Sequence, residues 1–238
     1  MEQSMKRILL AAIVMFIGFA AVATLSAQSR GREPTVEELY LRDIEYQIRR
    51  EQAYSDDRDL KMLVLDELEE MIENGSVDDP DKVQPILEFL GMEGTARRVK
   101  ESNRLINYFP EVRRRAANLL GRLGGEKAKN SLITILIVDD EPMVKAEAAY
   151  ALGMVGLNAS NEAVKAILYT MEKEDPTMPD NNLAYAVCLA LEKIADKNNG
   201  FEDARHSAEA ARALVRIAQG NYIRTVRRKA IDLSLIHI

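Results

Sequence analysis

Residues 111–125, EVRRRAANLLGRLGG, and residues 143–157, MVKAEAAYALGMVGL, are two copies of one pattern at an offset of 32 residues. In each copy, apolar residues stand at positions i, i+4, i+7, i+8 and i+11, which lie on one face of an α-helix. A third copy begins at Leu183, a fourth begins at Val226, and a divergent early copy begins at Leu60. This period predicts a series of similar helices that pack on one another rather than a single closed core.

A second apolar helical segment follows each central copy. The link to the next copy is Asp139-Asp140-Glu141-Pro142 in one case and begins with Glu174-Asp175-Pro176 in the other. Because proline is favoured at the first position of a helix, we expect these two prolines to begin the next helices. Each unit is therefore helix, turn, helix, turn, and one such pair is too short to bury its apolar face without neighbours. The second helices are predicted at residues 128–136, 163–171 and 208–217.

The two central copies resemble the HEAT family, most closely the short HEAT-like repeats of phycobilisome lyases. The matching elements are VRRRAANLLGRLG from Val112, DDEPMV from Asp139 and VKAEAAYALGMVG from Val144. The resemblance covers residues 57–232 and implies an all-α solenoid of stacked antiparallel helix pairs, about four pairs, with a right-handed superhelix.

The same resemblance implies ion pairs between neighbouring repeats. In this family an Arg after the Val commonly pairs with an Asp before the Pro, so Arg113 with Asp139 or Asp140 are the candidates here. The third copy has Ala184 at the position of the Arg. A ladder of such pairs along every repeat is therefore not expected.

Residues 1–27 have the pattern of an export signal. A basic pair at residues 6–7 precedes a charge-free segment, residues 8–29, and small residues allow cleavage after Ala23 or Ala27. The alternative is an uncleaved membrane anchor, because the apolar segment has about the length of roughly 20 residues that spans a bilayer. Both alternatives place the rest of the chain outside the cytoplasm, in the bacterial periplasm or envelope, and we favour the cleaved signal.

Three further segments flank or interrupt the repeats. Within residues 28–56, Thr35-Val36-Glu37-Glu38 forms a capping-box motif, and we expect a helix there that covers the N-terminal end of the solenoid. Residues 95–108 are expected to add one helix. Residues 233–238, Leu-Ser-Leu-Ile-His-Ile, interrupt the last repeat, and we interpret them as an artefact from a sequencing adaptor. The alternative is a natural apolar tail, which we favour less because it would break off a helix after two turns.

The residues that could carry chemistry are few. Cys188 is the only cysteine and is surrounded by small apolar residues, so a buried, inert thiol is expected. His206 and the doubtful His237 have no partners with the spacing of metal ligands. Residues 121–125 contain three glycines but end a helix, whereas a phosphate-binding loop would begin one. We therefore expect no catalytic, metal or cofactor site, and a protein that is not an enzyme.

Charged residues make up 29% of the chain, and basic and acidic residues are unevenly distributed along it. Residues 31–94 carry seven basic and nineteen acidic residues, whereas residues 95–129 carry ten basic and three acidic ones. One explanation is pairing between repeats together with solvation. The other is a basic strip that binds an acidic protein or an anionic membrane surface. The candidate strip consists of Arg97, Arg98, Lys100, Arg104, Arg113, Arg114, Arg115 and Arg122.

Three functions are compatible with these patterns. The first is a non-enzymatic scaffold of the bacterial envelope that binds another protein on its repeat surface. The second is a lyase or chaperone-like factor for a cofactor-bearing protein, as the resemblance to lyase repeats implies. The third is a structural envelope protein held by an uncleaved N-terminal anchor. Nucleic acid is disfavoured as a partner by the net charge of −6 and by the lack of interleaved aromatic residues.

Overall fold

The computed structural model describes residues 33–201 and 204–236. The export signal or anchor predicted for residues 1–27 lies outside the described residues. Among the residues that are described, no helix is both long and apolar enough to cross a bilayer. The chain divides at residue 46 into two compact units, and the second contains the repeats.

Apart from one small hairpin, the regular secondary structure in the described part of the chain is helical, as the apolar period predicts. A 3₁₀ turn, Ala159–Asn161, precedes one of the helices. The helices are α1 (Val36–Tyr54), α2 (Arg58–Glu73), α3 (Pro80–Met92), α4 (Pro110–Leu123), α5 (Gly125–Val138), α6 (Pro142–Val155), α7 (Glu162–Lys173), α8 (Asn181–Asn198), α9 (Ala204–Gln219) and α10 (Arg224–Ile236), and the strands are β1 (Lys100–Glu101) and β2 (Arg104–Leu105).

The first unit contains the start of α1, which has the predicted capping box. The backbone N–H of Thr35 donates to Glu38 Oε2 at 2.7 Å, and the N–H of Glu38 donates to Thr35 Oγ1 at 3.2 Å. The part of α1 from Tyr46 onward belongs to the second unit, where Ala53 is fully buried. The capping role of residues 28–56 stays a prediction.

The helices of the second unit form two layers. Helices α2, α4, α6, α8 and α10 pack side by side in one layer, which we call the A layer, and α3, α5, α7 and α9 form the B layer. One continuous apolar core lies between the layers. Val112, Ala116 and Leu120 of α4, three of the positions that define the repeat, are fully buried in it. The predicted all-α solenoid of stacked helix pairs is thereby confirmed.

Glycines let neighbouring A-layer helices approach closely. A Cβ atom added to Gly121 would lie 2.9 Å from the Cα of Ala151 on α6. A Cβ added to Gly153 would lie 2.7 Å from the Cα of Ala190 on α8. Real Cβ atoms do not approach backbone so closely, so the absence of a side chain at these two positions sets the spacing between α4, α6 and α8.

The two proline links behave differently. Pro142 begins α6 as expected, with the chain entering the helix from an extended Glu141. Pro176 does not begin a helix, and that expectation is wrong. A second proline, Pro179, disfavours helical geometry in the residue before it, which delays the helix. Asp180 then caps α8, and its Oδ1 accepts a hydrogen bond from the N–H of Leu183 at 2.7 Å.

The helix expected at residues 95–108 is also absent, and this segment forms the hairpin of β1 and β2 instead. Ser102 and Asn103 adopt positive φ angles of 48° and 66°, which give the tight two-residue turn of a hairpin. Gly94, with φ of 79°, packs against the backbone of Asn107 so closely that a Cβ would lie 2.4 Å from its carbonyl oxygen. These local turns stop a helix from forming.

Helix α10 continues past Asp232 without a break and ends at Ile236. Leu233 is buried, with 3% of its surface exposed, and occupies the i+7 position of the copy that begins at Val226. The interpretation of residues 233–238 as an adaptor artefact stays a prediction, and His237 lies outside the described residues.

Candidate functional site

The candidate basic strip is not one continuous surface. Arg115 and Arg122 face the acidic side of α2, and both contact Glu69. The Arg115 guanidinium lies 2.6 Å from Asp66 Oδ1 and 2.5 Å from Glu69 Oε2. The Arg122 guanidinium lies 2.8 Å from Glu69 Oε1 and 2.7 Å from Glu73 Oε1. Pairing between repeats therefore accounts for these two arginines.

Arg113 belongs to the interior. Its Nε donates to Asp139 Oδ2 at 2.6 Å and its Nη2 donates to Asp139 Oδ1 at 3.1 Å, while Asp140 Oδ1 lies 3.8 Å away. The side chains of Arg113 and Asp139 are both fully buried. Burial by itself would lower the pKa of Arg113, but the hydrogen bond and charge of Asp139 outweigh it and the pKa is raised. The structure thus brings together the pair that the family resemblance implies, and it joins the start of α4 to the end of α5.

A second buried pair, which sequence reasoning missed, has the same arrangement one repeat earlier. Lys61 Nζ lies 2.9 Å from Glu93 Oε1 and 2.8 Å from Glu93 Oε2, and also donates to the Ala53 carbonyl at 2.9 Å. Burial is the largest influence on Glu93 and raises its pKa. The sequence does contain a signal for this pair: Lys61 follows Leu60, the first apolar position of its copy, as Arg113 follows Val112. The match between Glu93 and Asp139 is hard to see in the sequence, because the hairpin separates Glu93 from the next helix whereas Asp139 lies directly before one.

The remaining residues of the strip fall into two groups. Arg97 and Arg98 are exposed on the segment that leads into the hairpin, Lys100 is exposed in β1, and Arg104 lies in β2. Arg114 lies on the outer face of the A layer and forms no ion pair within the described part of the chain. The structure therefore separates the strip into internal pairs, hairpin cations and Arg114.

The outer face of the A layer contains a groove between α6 and α8. It has a volume of about 480 Å³, and Arg114 of α4 lies at its edge. Both helices line it with residues at positions i, i+3, i+4 and i+7, which form one stripe on each helix. The α6 stripe is Met143, Ala146, Glu147 and Tyr150, and the α8 stripe is Asn182, Tyr185, Ala186 and Leu189.

The groove has the composition of a protein-binding surface. Met143 is 58% exposed and Tyr185 is 37% exposed, so apolar and aromatic side chains meet solvent there. Lys193 Nζ lies 5.4 Å from the ring centroid of Tyr150, within the range of a cation–π contact. Glu147 Oε1 accepts a hydrogen bond from Asn118 Nδ2 at 2.7 Å. Exposed Tyr, Met and Arg are the residue types that interfaces enrich.

The side chains most able to do chemistry are buried. Cys188 is fully buried, and burial raises the pKa of its thiol to about 12. Its sulfur is therefore protonated at neutral pH. His206 is nearly buried, with Nδ1 3.1 Å from Asn161 Nδ2. In the described part of the chain, no group of three His, Cys, Asp or Glu residues is arranged to hold a metal ion.

Comparison with known proteins supports the predicted repeats. Residues 103–178 match the family model of HEAT repeats, so the resemblance inferred from the sequence is confirmed. No curated protein matches the sequence. Among solved structures, the chain is similar to one of a complex of CpcE and CpcF of phycocyanin lyase from Nostoc sp. PCC7120. The TM-score is 0.48 and the identity 20%, and the match covers 86% of this chain and 77% of that chain.

The expectation that the chain is not an enzyme is contradicted by this similarity, because the similar structure is that of a lyase. The exclusion rested on the lack of a complete catalytic motif in one chain. The lack of such a motif does not by itself exclude a catalytic role. We therefore withdraw the exclusion of a catalytic role.

Proposed function

We propose that this chain is a helical-repeat protein that binds another protein in the groove between α6 and α8. The observation that carries the proposal is the pair of exposed stripes on neighbouring repeats, with Met143 and Tyr185 open to solvent. HEAT repeats support it, since stacked helix pairs build extended binding surfaces.

The partner that suits this groove presents a helix with apolar side chains. Ala146 and Ala186 line the groove with small side chains, which leave room for a helix to lie between the larger residues. An amphipathic helix uses anchors at the same i, i+3, i+4 and i+7 spacing that lines the groove. Arg114 at the edge favours a partner helix with a carboxylate at that end.

Site-specific photo-crosslinking tests this proposal in cells of the native organism. A photoreactive phenylalanine analogue replaces Tyr185 in one variant and Tyr169 in the matched control. Tyr169 is 48% exposed but lies on the B layer, where Lys173 Nζ is 5.3 Å from its ring. We expect one reproducible protein adduct from position 185, none from position 169, and loss of the adduct when Tyr150 is also changed to Ala. Equal labelling from both positions contradicts the proposal.

A second candidate is a lyase or chaperone-like subunit that acts on a cofactor-bearing protein. The resemblance of the two central repeats to phycobilisome-lyase repeats supports it, and a lyase complex is among the similar structures. The groove volume of about 480 Å³ also lies within the range of about 300–1,000 Å³ that small-molecule sites occupy.

Spectroscopic titration with an open-chain tetrapyrrole tests the second candidate. We expect a saturable shift of the absorption band that Tyr185→Ala weakens and Tyr169→Ala leaves unchanged. An unshifted spectrum at saturating protein counts against the lyase candidate, and leaves the protein-binding proposal to be decided by crosslinking.

We further propose export to the bacterial envelope, with the signal at residues 1–27 as its support. N-terminal sequencing of the protein from the native organism tests this. A first residue of Thr24 or Gln28 supports cleavage, whereas an intact N-terminus in the membrane fraction supports an anchor. An intact protein in the cytosolic fraction contradicts export.

A further inference from the structure

The hairpin between α3 and α4, taken here together with residues 96–99 that lead into it, presents basic residues to solvent. In it, Lys100 pairs with Leu105 and Glu101 with Arg104 in antiparallel register. Residues 96–103 are all exposed. This segment stands outside the helical layers, so its side chains are available to a partner.

The charge of this segment is not neutralised within the chain. Arg97, Arg98 and Lys100 form no ion pair with a carboxylate in the described part of the chain. Residues 97–104 contain four cations and only one acid, Glu101. The arginines of α4 provide the contrast, since Arg115 lies 2.5 Å from Glu69. Arg97, Arg98 and Lys100 are thus an unmatched positive charge on a protein whose net charge is −6.

The base of the hairpin is held rigidly by Asn107, whose surface is 3% exposed. Its Nδ2 donates to the Arg97 carbonyl at 2.8 Å, and its Oδ1 accepts from the Val99 N–H at 2.9 Å. The Arg97 N–H also donates to the carbonyl of Met92, the last residue of α3, at 3.1 Å, which joins the base of the hairpin to that helix.

Each of the two guanidinium groups also makes one contact within the protein. The Arg97 guanidinium carbon lies 5.3 Å from the ring centroid of Phe89. Arg98 Nε donates to the Thr95 carbonyl at 3.1 Å. Both groups retain free N–H edges, and their restricted motion reduces the conformational entropy that binding a carboxylate would cost.

We propose that this hairpin binds a carboxylate-rich segment of a partner protein, at a surface separate from the groove between α6 and α8. Carboxylates suit the guanidinium groups because both are planar and can form two parallel hydrogen bonds. Three unpaired cations within four residues favour several carboxylates close together rather than a single one.

A flat anionic membrane suits this edge of the protein less well. The base of the hairpin carries acids, because Tyr108 Oη donates to Asp140 Oδ1 at 3.1 Å and to Glu141 Oε1 at 2.7 Å. The Asp140 side chain is 56% exposed. A bilayer would meet these carboxylates together with the hairpin and be repelled by them, whereas a narrow peptide can contact the hairpin alone.

Fluorescence anisotropy with the full chain tests the proposal. The probe is a fluorescein-labelled peptide of alternating Glu and Ser, and a parallel arm uses vesicles that contain phosphatidylglycerol. The test variant is R97Q/R98Q/K100Q. The charge-matched control is R224Q/R227Q/R228Q, which removes three exposed cations from α10.

We expect the hairpin variant to bind the acidic peptide about tenfold more weakly than the wild type, and the α10 control to change affinity less than about twofold. Equal losses in both variants would show non-specific attraction and overturn the proposal. Failure of the wild type to bind the peptide, or hairpin-dependent binding of vesicles alone, overturns it as well.

Two further measurements separate this result from misfolding and from the proposed groove. R97K/R98K keeps the charges but loses the planar guanidinium groups, and we expect an affinity between those of the wild type and the Gln variant. Tyr185→Ala lies in the groove and should bind the acidic peptide as the wild type does. Peptide affinity that falls with Tyr185→Ala contradicts a separate surface.

Discussion

Arg113 and Asp139 form a two-point ion pair, with Nε 2.6 Å from Oδ2 and Nη2 3.1 Å from Oδ1, in which neither side chain reaches solvent. The pair closes one helical hairpin at the point where the chain passes to the next. Arg113 Nη1 also donates to the Glu93 carbonyl at 3.4 Å, which links this pair to the Lys61–Glu93 pair before it.

Arg113→Met should lower the free energy of unfolding by about 3–5 kcal/mol, because it leaves the Asp139 carboxylate buried without a counter-charge. Urea denaturation followed by circular dichroism measures this change. The control R113M/D139L removes both charges and should recover most of the loss. A single variant within about 1 kcal/mol of the wild type would show that the carboxylate finds water or another partner.

Gly153→Ala should destabilise the fold although alanine is the better helix former. Alanine gains about 1 kcal/mol in helix propensity, but its Cβ would lie 2.7 Å from the Ala190 Cα and overpacking costs about 1–3 kcal/mol. Backbone cannot yield as a side-chain end can, so we expect a net loss in the free energy of unfolding. Thermal denaturation measures it.

The matched control is Gly91→Ala on α3. Its added Cβ would meet the Cδ1 of Ile135 at 2.7 Å, which is the end of a flexible side chain. We expect this variant to lose less stability than Gly153→Ala. The reverse order would mean that α6 and α8 can separate more easily than Ile135 can change rotamer.

Glu69→Gln should make the protein less sensitive to acid. The hydrogen bond from Arg115 is the largest cause of the lowered pKa of Glu69. A carboxylate whose pKa is lowered by folding stabilises the fold above its unfolded-state pKa, and that stabilisation is lost as the pH falls through the folded-state value. Below pH 4.5, the ordinary pKa of Glu, the free energy of unfolding should therefore fall more steeply in the wild type.

The control for this pH dependence is Glu70→Gln, since Glu70 is exposed and forms no ion pair in the described part of the chain. Denaturation curves between pH 7 and the acid range provide the comparison. If Glu70→Gln makes the free energy of unfolding fall as gradually with decreasing pH as Glu69→Gln does, the effect is due to net charge alone.

Asn107→Ala should loosen the hairpin while the helical layers stay folded. It removes two partly buried hydrogen bonds, to the Arg97 carbonyl and from the Val99 N–H, at a cost of about 1–3 kcal/mol. Hydrogen exchange should accelerate in the hairpin and remain slow in α6. Asn130→Ala, at an exposed site on α5, should leave both rates unchanged. Uniform acceleration would show that the hairpin supports the whole fold.

The repeats could be predicted from the sequence because their burial is periodic. Val112, Val144 and Leu183 occupy one position of the pattern, and all three are fully buried. The family resemblance implied Arg113 with Asp139, because the linking DDEP sequence is present. Within the repeats, helix identity and core residues thus follow from the spacing of apolar residues, whereas the ion pair follows from the family resemblance.

Features that depend on single turns or on three-dimensional neighbours could not be predicted in this way. The hairpin depends on positive φ at Ser102 and Asn103, which have no periodic signal. The groove depends on which stripe of α6 lies beside which stripe of α8. That arrangement is set by the packing between repeats, which the spacing within one helix does not determine. The predicted basic strip does not form one surface, because arginines such as Arg115 pair with acids far away in the sequence. Glu69, the partner of Arg115, is 46 residues away in the chain.

Gly153 contacts Ala190 on the flank where α6 packs beside α8, and the groove lies between the same two helices. The distance between the walls of the groove is therefore set by a buried position that carries no side chain. A methyl group introduced there would push α8 away from α6 and widen the opening. Selection for a particular partner can thus act on a buried residue that the partner never touches.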